Sequence, residues 1–247
     1  MNRTPKKILI IHIFWIGILI LFSCQTVVGQ IYLGTQNNPK LTQYMRKSVI
    51  KGINPYKDIE GEPYYPGQEF MLGTIYHRDS TKTINVFMRL NHFIDEIEFK
   101  HNENIMMFVK PDEIDRFEFG HMTFIYSEFV PSIGKPDVGF FEVMARGGCK
   151  LLYRRSSEIK REDLPVSNFN GGNYRDYFRI IEEYYIKKGD DPAQFIRKSK
   201  RKIFKALSDY TAELEDYVKK NNLTFKSDEE IIDLIYYYNA LKAKEEK

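Results

Sequence analysis

The chain has 247 residues, with 37 Lys and Arg against 34 Asp and Glu, and 43% of it is hydrophobic. That hydrophobic content excludes an intrinsically disordered chain, and the length suits one large domain or two small ones. The whole charge excess comes from Arg3, Lys6 and Lys7, so the chain beyond residue 29 is formally neutral. Neutrality argues against nucleic acid as a partner, because such proteins carry a basic face or stripe.

Residues 1–29 have the order of a secretory signal peptide. Arg3, Lys6 and Lys7 form the positive start, Ile8 to Phe22 form an apolar run, and small and polar residues follow. The run is short for a membrane span, which needs about 20 apolar residues. Val27 and Gly29 suit the −3 and −1 positions of a cleavage site and place the cut before Gln30; a retained anchor is the other reading. Leu21-Phe22-Ser23-Cys24 also resembles a bacterial lipobox, with Ser23 fitting and bulky Phe22 departing from it. Lipidation at Cys24 would attach the protein to a membrane, and the sequence offers membrane contact only by that route. Either outcome places the protein outside the cytoplasm, in the periplasm or beyond the cell, free or as a lipoprotein.

Residues 30–70 show no long periodicity. Three prolines and two glycines between Asn54 and Gly67 predict an irregular, extended segment whose tyrosines pack across another element. Residues 71–198 read as a β-rich meander. Strands are predicted near 72–78, 82–90, 93–100, 104–110, 114–119, 121–128, 138–146 and 148–155, separated by turn chemistry such as Arg78-Asp79-Ser80-Thr81 and Gly147-Gly148. Short consecutive connections predict antiparallel neighbours. Residues 156–175 are polar and contain Pro165 and Gly171-Gly172, which predicts a loop; a last hairpin follows around Lys188 to Pro192.

Residues 199–241 change period. Ile203, Leu207, Tyr210, Leu214, Tyr217 and Val218 fall on one side of a helix over 200–221. A second helix begins at Ser227, where Ser227-Asp228-Glu229-Glu230 is a capping box, and Ile231, Leu234, Ile235, Tyr238 and Leu241 form its apolar stripe. Tyr236 and Tyr237 project to either side of that stripe and form a candidate interaction surface. Residues 242–247 are a charged tail. The fold expected is α+β: an antiparallel β meander of about eight to ten strands followed by a C-terminal αα-hairpin.

Catalytic signatures are missing from the sequence: it contains no G-x-S-x-G, H-E-x-x-H, P-loop or C-x-x-C. His77, His92, His101 and His121 lie near predicted turns, without the spacing of metal ligands, and read as solvated turn histidines. Glu96 and Glu98 share one strand face with Ile94 and Lys100 and read as a solvated polar face. Cys149 shares its alternation parity with Leu151 and Tyr153 and reads as a buried, unpaired hydrophobe. Asp190-Asp191 reads as a turn. Lys198-Ser199-Lys200-Arg201-Lys202 is the densest basic run; it opposes the dipole of the helix it starts, and it reads as a solvated helix start or a contact for an anionic surface. No catalytic, cofactor-binding or metal-binding residue is assigned, and no cofactor is expected.

The segments Gly61-Glu62-Pro63-Tyr64-Tyr65, Phe70 to Tyr76, Pro111 to Asp115, Thr123 to Tyr126, Cys149 to Leu152, Tyr184 to Lys187 and Tyr237 to Asn239 together resemble a family of uncharacterised exported proteins of Bacteroidota-type bacteria. The resemblance spans about residues 58–241 and implies an exported setting with no assigned chemistry. Export, neutrality and the missing signatures make a non-enzymatic envelope module the leading reading, its partner an unidentified envelope protein or surface component. The alternatives are a carrier of an apolar or amphipathic ligand in a curved aromatic-lined sheet, and a hydrolase with a site assembled across strand turns.

Overall fold

The computed structural model describes residues 31–33, 45–47, 55–102, 104–108, 111–164 and 174–245, the first two segments by backbone alone. The expected leader, Cys24 and the last two tail residues lie outside the described residues. In chain order the strands are β1 (Ile31–Leu33), β2 (Met45–Lys47), β3 (Ile59–Glu60), β4 (Tyr64–Tyr65), β5 (Met71–His77), β6 (Lys82–Asn91), β7 (Glu96–His101) and β8 (Asn104–Phe108). They continue with β9 (Ile114–Phe119), β10 (Met122–Val130), β11 (Asp137–Ala145), β12 (Cys149–Asp163), β13 (Tyr174–Lys188) and β14 (Ala193–Phe195). Three α-helices follow: α1 (Lys200–Ala206), α2 (Thr211–Lys220) and α3 (Asp228–Glu245).

The fold is α+β with the helices at the C-terminus, but the sheet is mixed and is not a simple antiparallel meander. Consecutive hairpins build most of it, as the short turns dictate. Three pairings are parallel: β1 with β6, β3 with β13, and β10 with β14. Each involves a strand of only two or three residues, too short to show alternation in the sequence. These short strands also raise the number in the sheet to fourteen among the described residues, above the expected eight to ten.

The sheet closes on itself at one end. The order β11-β12-β13-β14-β10 is completed by β10 pairing again with β11, which makes a hydrogen-bonded ring of five strands. Phe129, Phe141 and Tyr185 fill its interior, with ring centroids 5.2–5.4 Å apart in edge-to-face contacts. Beyond β10 the path runs β9-β5-β6-β7-β8, over a second core that includes Ile75, Met88, Phe99, Phe108 and Phe117.

The helices cover the opposite face of the ring strands. Ala145, Cys149, Leu151 and Ile186 meet Ile203, Leu207, Leu214, Ile231, Leu234 and Ile235 there. Ser227 Oγ accepts the Glu230 N–H at 3.4 Å, and the Glu230 carboxylate accepts the N–H groups of Thr224 and Lys226, so the capping box fixes the start of α3. The helix expected over 200–221 is interrupted by a 3₁₀ turn at Ser208–Tyr210. There Asp209 accepts hydrogen bonds from Lys188 and the Tyr238 hydroxyl, which draw the chain out of helical register while its apolar stripe stays buried. On α3, Asn239 clasps the first residue of β12 from both sides: its Oδ1 accepts the Cys149 N–H at 2.9 Å and its Nδ2 donates to the Cys149 carbonyl at 2.8 Å. Gly147, at φ 141°, leaves room for that amide; a Cβ there would collide with it.

Of the loop expected over 156–175, residues 156–163 and 174–175 are strand, and 165–173 lie outside the described residues. β12 and β13 pair in register from Cys149↔Lys188 to Asp163↔Tyr174. Opposite charges face each other at Arg155↔Glu182, Glu158↔Arg179, Arg161↔Asp176 and Glu162↔Arg175, and each pair forms a salt bridge. Charge complementarity specifies this ribbon's register where a hydrophobic face would normally do so. Its polar composition is what made it read as a loop.

The segment 61–70, whose β4 pairs with β6, is pinned by a buried ion pair. Arg89 donates to Glu98 through Nε (2.9 Å) and Nη2 (2.7 Å) and to the Gln68 carbonyl through Nη1 (2.7 Å). Its guanidinium lies 3.4 Å from the Tyr64 ring centroid and 4.2 Å from that of Phe70. Glu98 is fully buried and accepts a further bond from Asn91, which corrects the expectation of a solvated Glu96/Glu98 face. The covering segment, itself bound by the ion pair, excludes the water. Removing one partner of such a pair leaves the other charge buried without compensation. Glu98→Gln is therefore expected to lower stability by about 3–5 kcal/mol in chemical denaturation. Asn239→Ala, which orphans two backbone groups of Cys149, is expected to cost about 1–3 kcal/mol by the same measurement.

Candidate functional site

The turn between β6 and β7, residues 92–95, builds one wall of a polar cleft. Asn91 Oδ1 accepts the N–H groups of Phe93 and Ile94, while its amide is held by Glu98. The turn ends on Asp95 at φ 52°, a left-handed conformation uncommon for a residue with a Cβ. Asp95 reaches over Gly139 of β11, where a Cβ would stand 2.5 Å from its Oδ2. It accepts Arg154 Nη2 at 2.9 Å and the Phe140 N–H at 3.4 Å. Arg154 projects from β12 with its guanidinium 4.9 Å from the Phe129 ring centroid.

The cleft has a volume of about 460 Å³, and Asp95, Glu96, Tyr126, Asp137, Val138 and Arg154 line it. The lining gathers three carboxylates, Asp95, Glu96 and Asp137, with the Arg154 guanidinium. Burial pushes the Asp95 carboxyl above the usual carboxylate range, against the pull of Arg154. Burial also raises the Tyr126 hydroxyl, assisted by the charges of Asp95 and Glu96. Asp137 stands exposed at the mouth. Such a cleft, set on strands, is suited to hold a cationic group of a ligand and to hydrogen-bond around it.

The residues singled out in the sequence are dispersed. His77 and His92 are buried, which corrects the reading of both as solvated turn residues: Thr83 Oγ1 lies 3.0 Å from His77 Nε2, and Ser157 Oγ lies 2.9 Å from His92 Nδ1. His121 is exposed. Among the described residues no three His, Cys, Asp or Glu side chains are placed to hold a metal ion. Cys149 is buried and in no disulfide, and burial pushes its thiol up to about 12, so it packs as a hydrophobe and is no nucleophile. Asp190 and Asp191 lie in the exposed turn after β13. Tyr236 and Tyr237 take different surroundings: Tyr236 is 48% exposed, whereas Tyr237 stacks on Tyr217 with centroids 4.0 Å apart.

Asp95 and Glu96 were visible in the sequence as neighbouring acids; Tyr126, Asp137 and Arg154 were not. The available signal was Gly139 inside a strand run, since a strand glycine often marks a close approach by another group. Comparison with known proteins finds no matching family model, no similar curated protein and no similar solved structure.

His92 gives a pH-dependence with a definite sign. Burial, with Arg155 nearby, lowers its imidazole from 6.5 to about 4. The unfolded chain therefore takes up a proton near pH 6.5 that the folded chain refuses until about pH 4. Acidification through that window is expected to remove about 3 kcal/mol of stability. Denaturation midpoints measured across it should flatten in His92→Gln.

Proposed function

We propose that the protein is a non-enzymatic exported module of the bacterial envelope, and that it binds a protein or surface component through the Asp95–Glu96–Asp137 cleft. The observation that carries this reading is the gathering of three carboxylates and one guanidinium in one cleft on a strand framework. A lysine or arginine side chain, or an amine of a surface component, complements those carboxylates. Asp95 already accepts from Arg154 and from an amide, which suits a carboxylate that shapes and charges a pocket. The apparent leader and the resemblance to exported proteins support the setting. A carrier role has less support, because the ring interior is filled by Phe129, Phe141 and Tyr185. The hydrolase reading retains one favourable observation, the raised carboxyl of Asp95 within a cleft.

Titration with Nα-acetyl-argininamide, followed by amide chemical shifts, tests the binding role. Shifts are expected at Asp95, Glu96 and Val138 and should weaken as salt increases. Glu96→Gln with Asp137→Asn is expected to raise the Kd by about tenfold or more, corresponding to about 1.4 kcal/mol. Shifts located elsewhere, or an unchanged Kd in a folded double variant, would overturn the assignment of the cleft.

A further inference from the structure

We infer that the hairpin tip at Ile133, together with the basic face of α1, docks the protein on an anionic lipid surface. The first observation is the β10–β11 turn. Ile133 is 90% exposed at its tip, the most exposed large hydrophobic side chain among the described residues. Gly134 turns the chain at φ 113°, and Pro131 and Pro136 stiffen both sides. Lys135 is adjacent, and Phe129 to Pro136 contains no acid.

The second observation is independent of the first. From Pro192 to Ser208 the chain carries Arg197, Lys198, Lys200, Arg201, Lys202 and Lys205 and no acid. Lys198 pairs with Asp228. Lys200, Arg201, Lys202 and Lys205 enter no ion pair among the described residues, although Lys200 and Lys202 lie over the Phe204 and Phe195 rings. Cations in the first turn of a helix oppose its dipole, and the ring contacts of Lys200 and Lys202 leave Arg201 and Lys205 without an ion-pair or ring partner among the described residues. An external anionic surface compensates them.

The fold brings the two features together. Val130 pairs with Gln194, and Pro131 and Ser132 share a cleft of about 300 Å³ with Phe195, Lys202 and Lys205. The hairpin that carries the exposed isoleucine therefore lies beside Lys202 and Lys205. One apolar side chain is too little to form the core of a protein interface, which buries roughly 800 Å² per partner. A bilayer needs only a shallow apolar wedge and nearby cations for its phosphates. This route to a membrane is separate from lipidation at Cys24, and it does not depend on the cleft.

A local reporter tests it in the full chain. Trp15 is the sole tryptophan, so Trp15→Phe with Ile133→Trp leaves one indole, at the tip. Its emission should shift to the blue on vesicles of phosphatidylcholine with phosphatidylglycerol, and much less on phosphatidylcholine alone. Lys202→Gln and Lys205→Gln should each lower the partition coefficient about fivefold, and added salt should lower it further. Glu96→Gln, in the cleft but away from the tip, should leave it unchanged, which separates this inference from the cleft. No blue shift, an equal shift on both vesicles, or indifference to the lysine changes would each overturn the docking surface. Ile133→Asp, at a solvent-exposed position, should abolish the salt-sensitive part of vesicle cosedimentation; retention of that part would also overturn it.

Discussion

The buried pair of Arg89 and Glu98 is the contact on which the covering segment, the 92–95 turn and the wall of the cleft depend. A guanidinium and a carboxylate removed from water are tolerable only if their remaining hydrogen-bonding capacity is met. Gln68 meets part of it for Arg89, and Asn91 for Glu98. Gln68 and the Tyr64 and Phe70 rings hold segment 61–70 over the sheet, which keeps the pair dry. Asn91 in turn organises the 92–95 turn. That turn carries His92 to the β12–β13 ribbon at Ser157 and aims Asp95 across Gly139. One desolvated ion pair thus connects a polar covering segment, a tight turn and the wall of the acidic cleft.

The other half of the molecule is organised by closure of the five-stranded ring. Its interior is aromatic and its outer face is apolar, so the strands are buried on both sides where the helices cover them. β12 and β13 outrun that core. Beyond it their pairing passes from hydrophobic to electrostatic control, with acid opposite base at four positions. Helix α3 is joined to the ring both by packing and by the Asn239 clasp, which places a side-chain amide where a neighbouring strand's backbone would be. Directional bonds of this kind fix the axial position of a helix that apolar packing alone leaves free to slide.

The two proposed surfaces use different physics. The cleft concentrates negative charge on strands buttressed by the ion pair. The hairpin tip and α1 gather positive charge around an exposed apolar side chain. In a chain whose net charge beyond the leader is zero, this segregation is a property of the folded surface and is invisible in the total.

Local patterns determined what depends on neighbours in sequence. Alternation located the hairpins from β5 to β11, and the 3.6-residue period located the stripe from Ile203 to Val218 and that from Ile231 to Tyr238. The capping box at Ser227 located the start of α3, and the parity of Cys149 with Leu151 located its buried face. Tertiary structure alone decided the rest, because it depends on groups far apart in the chain. Glu98 looked solvated until a segment some thirty residues earlier covered it, and the outer ribbon looked like a loop because its partner strand supplies the opposite charges. The parallel pairings, the closure of the ring and the meeting of Asp95 with Arg154 follow the same rule. Sequence periodicity reports which face of an element is apolar; which surface arrives to cover that face, and which charge arrives with it, is set only when the whole sheet has formed.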